Sequence, residues 1–280
     1  MTILSLFDGM SCGRIALERA GIKVTKYYAS EIDKYAEKIS ASNYPDIIRL
    51  GDITKWKEWD IETPDIILAG SPCQGFSFAG KGLNFNDPRS ALFFTFADIL
   101  KYYKPKYFLL ENVKMKAEHQ DVISGILGEI YPKCVNQAEM FRSGRLEPIL
   151  INSALVSAQN RERLYWCNWK VTQPEDKKIF LKDIIENAEA TQKKAFCLLT
   201  TYRNVCATES GIKRFKEKHL GTLVSTDNIT RRKLTVTECE RLQTVPDGYC
   251  KAVSNFRAYH ALGNGWTVDV IAHILKQMEI

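Results

Sequence analysis

The eight cysteines and four histidines include no Cys-x-x-Cys pair and no histidine pair at metal-ligand spacing, which argues against a zinc site. No apolar run approaches the roughly 20 residues a membrane-spanning helix needs. The opening Met1-Thr2-Ile3-Leu4-Ser5-Leu6-Phe7-Asp8 lacks both the basic n-region and the longer apolar stretch of a secretory signal. The cysteines, at 12, 73, 134, 167, 197, 206, 239 and 250, are therefore expected as reduced thiols in a cytoplasm. Internal repeats and low-complexity tracts are absent. Strong charge of one sign is absent too: 39 basic against 33 acidic residues leave +6, which permits a polyanionic partner without demanding one. What remains, 280 residues with 45% hydrophobic content, suits one large domain, or a large domain with a smaller companion, whose core needs no covalent staples.

The first half alternates short apolar runs with helix-period segments, the pattern of an α/β, doubly wound, mostly parallel sheet. Strands are predicted at Ile3 to Phe7, Val24 to Ala29, Ile47 to Leu50, Asp65 to Ala69 and Tyr107 to Leu110. Helices are predicted at Gly13 to Ala20, Lys34 to Ser42, Leu92 to Tyr103 and 118–130. Pro148 to Asn152 and Arg163 to Trp169 read as extended. Across 170–233 periodicity fades and basic residues outnumber acidic ones, so this stretch is expected to form a small, irregular appended unit facing something anionic. Helical patterns return at Thr237 to Gln243 and Val268 to Met278. The expected division is therefore 1–169 plus 234–280 for the main domain, and 170–233 for the small one.

Chemistry is expected outside the carboxyl ends of these strands, where open α/β sheets bind their ligands. Gly70-Ser71-Pro72-Cys73-Gln74-Gly75-Phe76-Ser77 follows the run Ile66-Ile67-Leu68-Ala69, so Cys73 sits in a loop past a buried strand, presented to a partner or else packed as a structural thiol. The turn Phe7-Asp8-Gly9-Met10-Ser11-Cys12-Gly13 leads from strand to helix, where a nucleotide-like cofactor is cradled, although the full GxGxxG is missing. Asp8, Glu31 and Asp52 follow three successive strands. Glu31 is placed for ribose hydroxyls and Asp52 for an adenine amino group. Such a row of acids disfavours a pyrophosphate and suits a cofactor with a cationic centre and an amine, as in S-adenosylmethionine. Each acid alone reads equally as a helix cap. Glu111 ends the strand at Tyr107 and makes a nucleophile and general-acid pair with Cys73. Gln159, Arg161 and Arg163 alternate in an extended segment and are expected to project together, where arginines favour a thiolate and grip a carbonyl oxygen or phosphate.

Taken in order, these segments resemble the cytosine-C5 DNA methyltransferases. Gly70 to Ser77 resembles the family's Pro-Cys-Gln motif, Glu111-Asn112-Val113 its Glu-Asn-Val motif, and Gln159 to Arg163 its Gln-x-Arg-x-Arg motif. Arg232 to Tyr249 is similar to the segment joining its two domains, and Leu262-Gly263-Asn264-Gly265-Trp266 to its final Gly-Asn element. The likeness fails only across about 170–220. Ser11-Cys12 stands where the family usually has Gly-Gly. That turn, the Phe-Asp-Gly start and the Trp after Asn264-Gly265 are closer to the mammalian de novo enzymes, in a chain otherwise of bacterial or phage type.

The resemblance implies an S-adenosylmethionine-dependent methyltransferase fold, with Cys73, Glu111, Arg161 and Arg163 catalytic. It implies a cofactor site of Phe7, Asp8, Gly9, Met10, Glu31, Ile32, Asp52, Ile53, Pro72, Leu92, Asn264 and Trp266. It also implies contacts to double-stranded DNA from Gln74, Ser77, Gln159 and Thr222, the last in a short Thr-Leu match. No metal and no membrane are implied, S-adenosylhomocysteine is the product, and a monomer is expected. Two other readings are weighed. A tRNA cytosine-C5 methyltransferase typically carries Cys-Phe-Thr and Pro-Pro-Cys elements, which this chain lacks. A catalytically inactive DNA-binding regulator loses the nucleophile or the cofactor acids, which this chain keeps. The recognised DNA sequence is not legible, because base contacts come from loops with no transferable code.

Overall fold

The structure, a computed structural model, describes residues 1–71, 88–134, 144–205, 208, 210–211, 213, 221–227 and 230–279. Pro72, Cys73, Gln74 and Ser77 lie outside the described residues.

Seven strands form the central sheet: β1 (Thr2–Leu6), β2 (Lys26–Ser30), β3 (Ile48–Arg49), β4 (Ile66–Gly70), β5 (Tyr107–Val113), β6 (Ile149–Asn152) and β7 (Glu162–Cys167). Their spatial order is β3-β2-β1-β4-β5-β7-β6. The pairings among β1 to β5 are parallel, and β7 runs antiparallel to both β5 and β6. The doubly wound, mostly parallel expectation therefore holds, with one reversed strand. Helices α1 (Cys12–Arg19), α2 (Lys34–Asn43), α3 (Pro88–Tyr103), α4 (Ala117–Ile130), α5 (Val236–Leu242), α6 (Asn255–Asn264) and α7 (Val268–Leu275) complete the main elements.

Strand alternation sorts the apolar residues onto two faces. Ile3, Ile66, Leu68 and Leu109 pack on one side with Ile15 and Leu17 of α1 and Val270, Ile271 and Ile274 of α7. Leu4, Leu6, Ile67, Phe108 and Leu110 pack on the other with Phe93, Phe96 and Leu100 of α3 and Leu127 of α4. Burial on both faces is what makes the strands read as near-continuous apolar runs. Strand β5 runs three residues past its predicted end at Leu110. Its antiparallel partner β7 continues the ladder through Asn112 opposite Leu164 and Val113 opposite Arg163.

Across 170–233 the described backbone is mostly irregular, with short 3₁₀ turns and a hairpin of β8 (Leu223–Ser225) and β9 (Arg231–Lys233). Its apolar side chains Leu181, Leu198, Tyr202 and Val224 join the cluster that holds Leu242, Tyr259 and Leu262. A Cβ on Gly263 would lie 2.5 Å from both Leu199 C and Thr200 N, so α6 approaches this segment backbone to backbone. Among the described residues no helix is long and apolar enough to cross a membrane.

Because neither backbone can yield easily, Gly263→Ala is expected to cost about 2 kcal/mol. Urea unfolding monitored by tryptophan fluorescence measures this, and an unchanged midpoint would contradict the close approach.

Candidate active site

The strand order reverses between β1 and β4, and a cleft of about 470 Å³ opens beyond the carboxyl ends of β1, β2, β4 and β5. That size lies within the roughly 300–1,000 Å³ common to small-ligand sites, and the position is the topological switch point. Its walls include Phe7 and Gly9 after β1, Glu31 and Ile32 after β2, and Asp52 and Ile53 after β3. Further lining comes from Gly70 and Ser71 at the end of β4, Leu92 of α3, Glu111 and Asn112 of β5, Arg161, Arg163 and Asn264.

One end of the cleft is acidic and apolar. The turn after β1 holds Phe7 at φ 58°, Gly9 at φ 59° and Ser11 at φ 64°, a tight left-handed path that suits glycine and strains the other two. Glu31 fastens this turn to the next strand. Its Oε2 accepts from Gly9 N at 2.7 Å, and its Oε1 accepts from Ile32 N and Asp33 N, both at 2.8 Å. An ionised carboxylate has about four acceptor sites, so roughly one is left for a ligand hydroxyl. Asp52 caps a 3₁₀ turn through Oδ1, which accepts from Thr54 N at 2.9 Å, and that bond holds its carboxyl below the ordinary value. Ile32 is 78% exposed while lining the cleft, an apolar side chain placed to cover the face of a flat ligand.

The other end carries a fixed ion pair. Glu111 Oε1 lies 3.0 Å from Arg163 Nε, and Glu111 Oε2 accepts from Trp266 Nε1 at 3.1 Å. Burial works against the Arg163 charge, but Glu111, Cys197 and Tyr165 together outweigh it and hold the guanidinium above its ordinary value. Trp266 reaches Glu111 because β4 ends in glycine: a Cβ on Gly70 would sit 2.8 Å from the indole nitrogen. Asn112 Nδ2 donates to Ser71 Oγ at 3.1 Å, with both residues buried, and so ties β5 to the residue that follows β4. In the sequence, only the place of Asn112 beside Glu111 in the Glu-Asn-Val motif marks it.

Several expected site residues bond to the surrounding frame. Asp8 accepts from Tyr27 Oη at 2.7 Å and from Ser11 Oγ, and burial pushes its carboxyl up, so it braces the turn away from the cleft wall. Met10 is 1% exposed, and its Cε would lie 2.9 Å from a Cβ on Gly265. Gln159 does not project beside Arg163: its amide donates to Leu242 O at 2.7 Å and Gln243 Oε1 at 3.0 Å, and its oxygen accepts from Leu198 N at 3.1 Å. Thr222 is buried and accepts from Phe196 N at 2.8 Å. Arg161 lines the cleft, but its donors go to Leu198 O at 3.0 Å, Gly265 O at 2.9 Å and Gly263 O at 3.4 Å. Burial, together with the neighbouring Arg163 charge, lowers its ordinary value.

The other described thiols separate by environment. Burial pushes Cys12 and Cys167 up to about 12, so both stay protonated near neutrality. Cys197 Sγ faces the site arginines, 3.3 Å from Arg161 Nη1 and 3.8 Å from Arg163 Nη2. Among the described residues no group of His, Cys, Asp and Glu is placed to hold a metal ion.

A family model described as C-5 cytosine-specific DNA methylase matches residues 1–199 and 170–279. The chain is 30% identical to the Type II methyltransferase M1.ScrFI of Lactococcus lactis subsp. cremoris, over 99% of this chain and 77% of that protein. It is 29% identical to the Type II methyltransferase M.HhaI of Haemophilus parahaemolyticus, over 98% of this chain and 93% of that protein. Among solved structures it resembles the Dnmt2 methyltransferase of S. pombe with a TM-score of 0.69 at 19% identity, covering 99% and 97% of the two chains, a likeness of fold.

Arg161→Ala would remove the guanidinium bonds to Leu198 O, Gly263 O and Gly265 O, of which Gly265 O keeps Gln243 as a donor, and is expected to destabilise the protein by about 3 kcal/mol. Thermal and urea unfolding measure this; wild-type stability would show that the guanidinium does not brace the frame.

Proposed function

The chain belongs to the C-5 cytosine-specific DNA methylase family, and on that premise we propose that it methylates C5 of a cytosine flipped out of double-stranded DNA at a specific sequence. The methyl donor in this proposal is S-adenosylmethionine, and the reaction passes through a covalent adduct between Cys73 and C6 of the base. The enzyme class is DNA cytosine-C5 methyltransferase. The observation that carries the proposal is the two-ended cleft, with acids and an exposed isoleucine at one end and Glu111, paired with Arg163, at the other. Ser71 lies on its wall, and Cys73 follows two residues later in the chain.

The residues present fit the donor. Glu31 has an acceptor site left for a ribose hydroxyl, Asp52 an oxygen for an exocyclic amine, and Ile32 an apolar surface for the adenine face. When bound, S-adenosylmethionine supplies an electrophilic methyl group on a cationic sulfur.

Cytosine C5 is a weak nucleophile toward such a methyl. Addition of the Cys73 thiolate to C6 converts the ring to an enamine and divides one difficult step into easier ones. Glu111 holds and protonates N3, so negative charge does not accumulate on the ring, while Arg163 faces the base carbonyl. C5 then takes the methyl; a base takes the C5 proton, its electron pair forms the C5–C6 double bond as the C6–sulfur bond breaks to return the thiolate, and the N3 proton goes back to Glu111. Arg161 supports this chemistry from behind by fixing the Gly263–Gly265 turn. Flipping the base out of the stack costs a few kcal/mol, offset by protein contacts. We assign residues 170–233 to target recognition and 1–169 with 234–280 to catalysis.

Cys73→Ala is expected to abolish methyl transfer while DNA binding survives, and near-normal turnover would refute the covalent route. A duplex carrying 5-fluorocytosine at the target is expected to trap a stable protein adduct, because fluorine cannot leave as a proton does. Bisulfite sequencing of DNA from cells expressing the chain locates the target site for that duplex. Unmodified protein after prolonged incubation with duplex and donor would count against the assignment.

A further inference from the structure

Helices α2 and α6 each send residues into the cleft, Asp33 and Ala36 from the α2 end and Ala261, Gly263 and Asn264 from α6. Lys34 and Tyr35, in that same first turn of α2, and Phe256 and Arg257, at the start of α6, meet outside the cleft in a cationic, aromatic cluster. The Arg257 guanidinium lies 4.0 Å from the centre of the Tyr35 ring and 5.6 Å from that of Phe256. Arg203, from the 3₁₀ turn at Thr200–Asn204, lies 4.8 Å from the Phe256 ring on the other element. Lys34 sits 5.3 Å from the Tyr35 ring. Phe256 itself is 46% exposed.

Among the described residues, neither Arg203, Arg257 nor Lys34 has a carboxylate within ion-pair distance, and Arg203 Nε is buried with no hydrogen-bond partner. The neighbouring acid Asp33 is engaged elsewhere: Oδ1 caps α2 and Oδ2 lies 3.5 Å from His260 Nδ1. Burial and the charge of Arg203 hold the His260 imidazole below its ordinary value despite Asp33, with Arg257 adding to the effect. The fields of the two arginines therefore overlap at this point of the surface. Five other arginines behave differently: Arg14, Arg19, Arg145, Arg232 and Arg241 each have a carboxylate partner.

We infer that Arg203 and Arg257, laid on the Phe256 and Tyr35 rings, form a docking surface for the phosphate backbone of the DNA that flanks the target base. This rests on the DNA reading above and adds residues to it. A guanidinium stacked on an aromatic face has its plane set in advance and keeps its N–H edge free for two phosphate oxygens. A base inserted in the cleft stays covalently tied to its own strand, so the phosphates of that strand run over the surface around the cleft, and the cluster adjoins the cleft-lining Asp33, Ala36 and Ala261 in the chain. The surface also joins the segment assigned to recognition, through Arg203, with the helix that carries the cleft-lining Gly263 and Asn264. Backbone contacts of this kind fix register and supply affinity without reading sequence.

Fluorescence anisotropy with a labelled 30-base-pair duplex of arbitrary sequence, titrated across a salt series, tests the assignment. Each lost phosphate contact lowers the slope of log affinity against log salt by about 0.9. Arg203→Gln and Arg257→Gln are each expected to lower the slope by about that amount, and the double variant by about twice it, with affinity at low salt reduced on the order of tenfold or more. The Arg203→Lys and Arg257→Lys forms keep the charge and are expected to keep the slope. S-adenosylmethionine affinity, measured by calorimetry on every variant, is expected to stay at the wild-type value and reports that the cleft is intact. A wild-type slope in the glutamine variants, with the wild type binding the duplex, overturns the docking surface alone. Failure of the wild type to bind any duplex overturns the DNA reading and this surface with it.

Discussion

A buried polar network, formed by groups far apart in the chain and fully paired, holds the site together. Gln243 donates to Leu262 O at 2.7 Å and Gly265 O at 3.1 Å, and accepts from Gln159 Nε2 at 3.0 Å and Thr267 Oγ1 at 2.9 Å. Thr267 is in turn 2.9 Å from Ser153 Oγ, and Arg161 adds its bond to Gly265 O. In a low-dielectric interior an unpaired member of such a set is costly, so the arrangement tolerates few alternatives. Its effect is to pin the turn between α6 and α7 against the sheet. That turn carries Asn264 to the cleft and Trp266 to Glu111, so the geometry at the carboxyl ends of the strands depends on a network lying behind them.

The two ends of the cleft are built differently. Around Glu31 and Asp52 the acceptors are organised by backbone N–H groups and keep spare capacity. Around Glu111 both carboxylate oxygens already meet a donor, one charged and one neutral. The first arrangement suits recognition of a ligand's hydroxyl and amino groups. The second suits a carboxyl whose orientation is set before the substrate arrives, so that less reorganisation is needed during reaction. The close glycine contacts serve the same purpose: without the missing Cβ at Gly70 the indole could not lie against β4.

Much of the fold was legible because its signals are local. The apolar runs at Ile66 to Ala69 and Tyr107 to Leu110 and the helix-period stretch from Leu92 to Tyr103 sit within a residue or a turn of the observed elements. The ends that moved did so for tertiary reasons, as when β7 drew β5 on through Val113. The site was legible in the same measure. Glu31 and Asp52 follow strands, Glu111 lies within β5 and Arg163 within β7, and all four line the cleft, whereas Asp8, also after a strand, is drawn inward by Tyr27 nineteen residues away.

From the order of its strands and helices and the residues that follow each strand, the sequence by itself determined that this is a mostly parallel α/β protein with acids and arginines near one edge, because side-chain periodicity and chain order decide which residues share that edge. Tertiary structure alone decided what each polar group does there. Gln159 turned to Leu242 and Gln243, Arg161 to the carbonyls of Gly263 and Gly265, and Arg203 came to lie on Phe256. A hydrogen-bonding or cationic side chain takes whichever partner the folded chain brings within about 3 to 5 Å, and sequence spacing does not encode that distance.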